Sequence, residues 1–338
     1  MPVPAGSGRN AIMKVRIVKN WSEPDLLRQT PGGAGRWNDF EFVIGPGAEP
    51  ADFVVALNNR FDTDVAVACP SDRLLTLMQE PFVPGFTDWM DMDLEVYSKV
   101  LSSHRPRSGV AFERSHPAVA WHVNRSYDQL SGMALPAKTH LMSWICGNAR
   151  SLPGHRDRLA FLQRLQSSAP GMVDLFGRAA RPIDDKWDGL APYHFSLAIE
   201  NTVATDYWTE KVADCFLSWT CPIYHGAPNL GDFFPRDSFI QIDIARPREA
   251  LERVREIANA GRAEWERRLP AITEARRLVL ERWQLFPHLA ARLEALGASN
   301  QPVVAVTIPH FRPRLASSLR RRWQRWKGIA RRGLRSRS

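Results

Sequence analysis

Two groups of polar residues and one isolated carboxylate have the types and spacing to act on an anionic substrate. Glu200 and Asn201 end the apolar run His194 to Ile199, and Thr209, Glu210 and Lys211 then open a stretch of helical periodicity reaching Leu217. A strand that passes through a loop into a helix sets the helix N-terminus at the carboxyl edge of a sheet, where α/β folds bind ligands. Free backbone N–H groups at such a terminus suit a diphosphate. Thr209 fits an N-cap and Glu210 the first turn, while Lys211 can make a charge-assisted contact with phosphate, as can Arg158 from a neighbouring βα unit. Glu80 ends another apolar run, Leu74 to Met78, and a carboxylate at a strand end is a candidate general base. Taken singly, Lys211 reads equally as a solvated helix residue, Arg158 as half of a surface salt bridge and Glu80 as a charge before Pro81.

These residues need a scaffold, and the pattern supplies one. Lys14 to Val18, Asp52 to Leu57 and Leu74 to Met78 are β-rich runs between Gly/Pro turns, and predict strands of a first α/β domain. A second series follows: strand His140 to Cys146, helix Arg156 to Leu165, strand Met172 to Phe176 closed by Gly177, strand His194 to Ile199, a helix from about Thr209 to Leu217, and strand Cys221 to Tyr224. Such alternation predicts a parallel, doubly wound sheet. Pro247 to Ile257 and Arg262 to Leu285 are expected as long charged helices, the second interrupted at Pro270. The predicted division is a disordered extension over 1–12, a first domain over 13–135, a second with trailing helices over 136–298, and a connector with a basic tail over 299–338.

Composition narrows the class. A chain of 338 residues that is 44% hydrophobic can bury two cores. The net charge of +9 is concentrated at one end: residues 311–338 hold eleven Lys or Arg and no acid, leaving 34 basic against 36 acidic groups before them. The body is therefore no basic nucleic-acid-binding surface. Cys69, Cys146, Cys215 and Cys221 form no CxxC pair, which argues against a disulfide framework or a zinc site. Asp91-Met92-Asp93 has the letters of a metal-binding loop but falls in a Trp/Met-rich turn outside the second domain. His104, His116, His122, His140, His155, His194 and His225 are expected to be structural, with His225 beside the ligand edge. No apolar run reaches the ~18 residues of a spanning helix.

Residues 193–240 resemble the donor-binding signature of the α-1,3/4-fucosyltransferase family, glycosyltransferase family 10. The matching parts are Glu200-Asn201, Tyr207, Thr209-Glu210-Lys211, Pro222-Ile223-Tyr224, Gly226, Pro235 and Ser238-Phe239, with Glu80-Pro81, Arg158 and Asp174-Leu175-Phe176-Gly177 collinear with them. The resemblance implies a GT-B fold, two Rossmann-like domains facing across a cleft, and inverting transfer of L-fucose from GDP-fucose to a glycan hydroxyl in α-1,3 or α-1,4 linkage. It implies that Arg158 and Lys211 neutralise the diphosphate, that Asn201 and Tyr207 contact the donor, that Glu210 meets ribose or sugar hydroxyls, and that Glu200 braces the donor loop. Glu80 is implied as the base that takes the acceptor proton. No cofactor is required by this chemistry, and a divalent metal is at most stimulatory.

From Leu315 onward, apolar residues recur at spacings of three to five among arginines, through Leu319, Trp323, Trp326, Ile329 or Ala330, and Leu334. This is the pattern of a cationic amphipathic helix, suited to an anionic membrane surface, with a disordered tail and nucleic-acid binding as competing readings. The resemblance, with the membrane anchor of eukaryotic members not found here, implies a bacterial-type enzyme. It would be cytoplasmic and peripheral on the inner face, acting on lipid-linked or lipopolysaccharide glycans. A different nucleotide-sugar donor, or a non-catalytic membrane- or nucleic-acid-binding protein on this scaffold, are the alternatives.

Overall fold

The computed structural model describes residues 12–312. The expected N-terminal extension, apart from its last residue, and the basic tail beyond Arg312 lie outside the described residues. Two parallel sheets form the frame. In the first, Phe40–Ile44, Met13–Val18, Phe53–Leu57, Leu74–Leu77, Lys99–Ser102 and Ala111–Arg114 lie side by side in that order, with Arg36–Trp37 antiparallel at one edge. In the second, the order is Asp174–Phe176, His140–Ile145, Tyr193–Ile199, Cys221–His225 and Ile240–Gln241, all parallel. Numbered along the chain, the parallel strands of both sheets run 2-1-3-4-5, with a sixth at the end of the first. Each sheet therefore has one point where the strand order reverses, between its first and third strands. Two such units facing across a cleft are the GT-B arrangement.

The second sheet is wound as the sequence predicts, by helices Pro153–Ser168 and Glu210–Leu217. The first departs from the expectation. Among the described residues, its crossovers contain no α-helix, only short 3-10 turns and the strands Gly47–Pro50 and Val65–Pro70 of a small third sheet, and the one-turn helix Tyr127–Ser131 lies beyond it. Its two faces are covered from a distance instead. Val15, Ile17, Val55 and Leu75 point to one side, where Leu285, Phe286, Leu289 and Leu293 of helix Leu285–Leu296 pack on them. Val18, Val54, Ala56 and Leu74 point to the other, against a small sheet in which Val303–Ile308 pairs antiparallel with Val65–Pro70. Period-2 alternation of a doubly buried strand produces both faces.

Residues 285–308, predicted as trailing helix and connector, return to the first half, and Arg73 fixes the return by donating to the carbonyls of Leu296, Gly297 and Ala298 at 3.0–3.3 Å. The preceding long helix, Pro247–Leu278, bends at Gly261, which takes φ +62°, and not at Pro270, which the helix carries through. A left-handed residue is cheapest at glycine.

Candidate active site

The loops at the two reversal points face each other across one cleft of about 740 Å³. One wall belongs to the first half: Asn20 and Trp21 follow Met13–Val18, Asn58 and Arg60 follow Phe53–Leu57, and Glu80 follows Leu74–Leu77. The other wall carries Ser151 and His155 from the turn into helix Pro153–Ser168, with Asn201, Tyr207, Glu210 and Lys211 from the loop and helix after Tyr193–Ile199. Five of the residues singled out in the sequence, Glu80, Asn201, Tyr207, Glu210 and Lys211, thus meet at one cavity.

Glu80 is set by its neighbours' backbone. Asn58 Oδ1 accepts from the N–H of Gln79 at 2.8 Å and of Glu80 at 3.4 Å, and Gln79 in turn donates to the carbonyls of Pro117 and Ala118. The Glu80 side chain is open to solvent at the concave wall. Because protein surrounds it on most sides, desolvation pushes its carboxyl above the ordinary range; Lys211 opposes this and Glu210 adds to it. A raised carboxylate in a cleft is suited to accept a proton near neutral pH.

Arg158 and Glu200 lie behind the wall. Arg158 is buried, and its Nη1 donates to Asn201 Oδ1 at 2.8 Å, so it aims Asn201 into the cleft with its own charge just beneath the surface. Gly154 makes this approach feasible, since a Cβ there would collide with the Asn201 carbonyl. Glu200 is wholly buried and accepts from the Thr209 N–H at 2.8 Å, the Thr209 hydroxyl, and Lys211 Nζ at 3.1 Å. It closes the loop 201–208 into a ring and fixes the helix start. A Cβ at Gly226 would sit 2.6 Å from Glu200 Cγ, which accounts for that glycine in the pattern.

Charge at the helix start is tightly balanced. Lys211 Nζ is also 3.3 Å from Glu210, Lys186 Nζ is 3.6 Å from Glu210 and 3.0 Å from Asp214, and His122 Nδ1 is 3.9 Å from Glu210. Burial would raise Glu210, but Lys211, Lys186 and His122 together hold it well below the usual range. Burial would lower Lys211, yet Glu200 and Glu210 raise it further above neutrality. Lys211 is therefore a permanent cation whose direction is set by two carboxylates, at the positive end of a helix dipole.

Residues 135–264 match the model of the glycosyltransferase family 10 (fucosyltransferase) C-terminal domain. The match covers 130 of the 338 residues, so the likeness to glycosyltransferase family 10 is carried by this segment. Similar curated proteins include a 4-galactosyl-N-acetylglucosaminide 3-alpha-L-fucosyltransferase of Pongo pygmaeus, 33% identical over 129 residues, which are 36% of this chain and 34% of that one. An alpha-(1,3)-fucosyltransferase of Helicobacter pylori is 30% identical over 147 residues, 43% of this chain and 28% of that one. The chain spans about a third of the length of such relatives. A solved alpha1,3-fucosyltransferase with GDP aligns over 83% of this chain and 94% of that one at TM-score 0.49 and 16% identity. A lipopolysaccharide-biosynthesis glycosyltransferase, WaaG, aligns over 84% of this chain and 100% of that one at TM-score 0.42 and 12% identity.

The cleft also gathers residues that sequence reasoning passed over. His122 and His155, expected to be structural, line the cleft. His155 Nδ1 accepts from the Leu152 N–H at 3.2 Å, which leaves the ring hydrogen on Nε2. Lys186 approaches Glu210 from a 3-10 turn, and Arg60 and Trp89 complete the opposite wall. No spacing rule pairs residues so far apart in the chain. His225, anticipated beside the ligand edge, lines a separate pocket of about 280 Å³ behind Asn201. Asp91 of the Asp-Met-Asp run is engaged by His104 at 3.3 Å and Arg107 at 3.6 Å. Among the described residues, no group of His, Cys, Asp or Glu is arranged to hold a metal ion, and no helix is long and apolar enough to cross a membrane.

Proposed function

We propose that this protein transfers L-fucose from GDP-fucose to a glycan hydroxyl with inversion at the sugar. The observation that carries the reading is the opposition, across one cleft, of an exposed carboxylate on the first half and the family 10 loop and helix start on the second. The diphosphate rests at the N-terminus of helix Glu210–Leu217, where the helix dipole and Lys211 meet it, with Asn201 presented by Arg158. Tyr207 borders the sugar and Glu210 reaches the hydroxyls of ribose or fucose. The acceptor enters along the wall of the first half. Glu80 takes the proton from its attacking hydroxyl while the bond to GDP breaks on the opposite face of the fucose. The leaving charge is met by protein groups, so transfer does not depend on a metal ion, which at most stimulates it.

The basic tail, 311–338, supports a second element of the proposal: peripheral attachment to an anionic cytoplasmic membrane surface, where lipid-linked or lipopolysaccharide glycans are the acceptors. Nucleic acid is the less favoured partner: the body before the tail carries 34 basic against 36 acidic groups, which leaves only the tail to bind it.

Calorimetric titration with GDP, GDP-fucose, GDP-mannose and UDP-galactose, with and without EDTA, tests the donor. Binding of GDP and GDP-fucose but not the uridine nucleotide is expected; no binding to a folded sample would overturn the proposal. Preferential transfer from GDP-mannose would move the donor assignment to another nucleotide sugar.

A further inference from the structure

The last strand of the first sheet, Ala111–Arg114, ends in four consecutive residues that each hold a distant partner. Glu113 Oε1 pairs with Arg292 Nε at 3.2 Å, and Ser115 Oγ accepts from His288 Nε2 at 2.8 Å, both on helix Leu285–Leu296. Arg114 Nη1 donates to Asp206 Oδ2 at 3.1 Å, and the His116 ring stacks on Trp208 with centroids 4.5 Å apart and planes 12° from parallel. Glu113 and Ser115 hold the helix that returns to the first half, and Arg114 holds the loop of the second half beside Tyr207. His116 touches both, stacking on Trp208 and meeting the His288 ring edge-on at 4.0 Å.

The gripped loop needs to be held. Asp206 has φ +63°, a left-handed conformation that costs a non-glycine residue energy, though Asp and Asn tolerate it best. Asn229 secures it from within the second half, accepting from the Asp206 N–H at 2.9 Å and donating to Oδ1 at 2.8 Å. Arg114 occupies the remaining carboxylate oxygen from the opposite half. The His116 side is fixed in turn: its Nδ1 accepts from the Ala118 N–H at 3.1 Å, and Phe233 and Phe234 close around Trp208 edge-on.

We infer that Arg114 and His116 are positioning residues that set the donor-binding conformation of residues 206–209 from the opposite half of the molecule. Tyr207, Thr209 and Lys211 then adopt their cleft-lining arrangement only when the first half is docked, so donor affinity reports the relation of the two halves. The inference rests on the reading of the cleft as a GDP-fucose site, but its first test does not.

In the full-length protein, the amides of residues 203–211 are followed by hydrogen exchange in the wild type and in Arg114→Ala, Arg114→Lys and Asp206→Asn. Arg114 is 58% exposed, so its truncation leaves the fold intact, and Asn keeps the left-handed tolerance and the Asn229 bonds. Faster exchange confined to this loop is expected in Arg114→Ala and Asp206→Asn, with recovery in Arg114→Lys. GDP affinity by calorimetry is expected to fall about fivefold in the same two variants, with no further loss in the double variant and the melting temperature unchanged. Unchanged loop exchange overturns the clamp whatever the ligand. Faster exchange with unchanged GDP affinity overturns its role in donor binding. A wild type that binds no GDP removes both that role and the donor reading, while the exchange data still decide the clamp.

Discussion

Glu80→Gln separates binding from chemistry. The substitution keeps size and backbone, and the hydrogen bonds that place residue 80 run from the N–H groups of Gln79 and Glu80 to Asn58 Oδ1, so they are untouched. The donor groups lie on the opposite wall and do not hydrogen-bond the Glu80 side chain. GDP-fucose affinity is therefore expected to stay within twofold. Loss of a general base removes roughly 10²–10⁴ in rate, about 3–5 kcal/mol of transition-state stabilisation. The assay is release of GDP from GDP-fucose in the presence of a glycan acceptor. The pH profile supplies a second readout. Glu80 acts as a base only when ionised, and desolvation raises its pKa, so the acidic limb of kcat/KM lies above the ordinary glutamate value of about 4.3. Rate rises with pH through that limb, and the limb disappears from the residual activity of the variant. Retention of more than a tenth of the wild-type rate, with donor binding intact, would refute the assignment of the base.

Other outcomes follow from the same geometry. Arg158→Ala frees Asn201 and Lys211→Ala removes the cation at the helix start; each is expected to weaken GDP-fucose binding by about tenfold, measured by calorimetry. Glu200→Gln leaves Lys211 with Glu210 as its remaining carboxylate and removes the charged acceptor of the Thr209 N–H and hydroxyl, and is expected to cost about 1–3 kcal/mol in urea unfolding. Burial holds His116 and His288 neutral, with pKa values well below the ordinary value of about 6.5. Their contribution to stability is complete above that pH and is lost as pH falls below it, with a slope of up to about 1.4 kcal/mol per pH unit for each ring. Unfolding curves from pH 7 to 5 check this, and His288→Asn should flatten the slope. Deletion of residues 313–338 is expected to release the protein from anionic vesicles while transfer to a soluble acceptor persists; undiminished vesicle binding would reject membrane attachment through the tail.

The donor half was legible in the sequence because its information is local. Each strand of residues 140–225 is a short apolar run ending in a polar or glycine turn, and the helix between Thr209 and Leu217 is announced by its cap and its periodicity. Chain order then fixes which loops lie at the ligand edge, so Glu200, Asn201, Thr209, Glu210 and Lys211 could be grouped from spacing, while Tyr207 came from the family resemblance. The first half hid its architecture because one of its faces is covered by a helix more than two hundred residues away, and the small sheet on the other is completed by an equally distant strand. Helix Leu285–Leu296 and strand Val303–Ile308 read as ordinary trailing elements, and nothing local marks Val15 or Val67 as their partners. Side-chain direction was equally invisible. Arg158 and Glu200 carry the charges expected of contact residues, yet the fold turns both inward, because a loop that brings Tyr207 and Lys211 to the cleft needs buried polar groups to close it. Residue types and their order thus determined what chemistry the chain can offer. Tertiary structure alone decided which charges face the substrate, since that depends on distances between residues whose separation in sequence carries no signal.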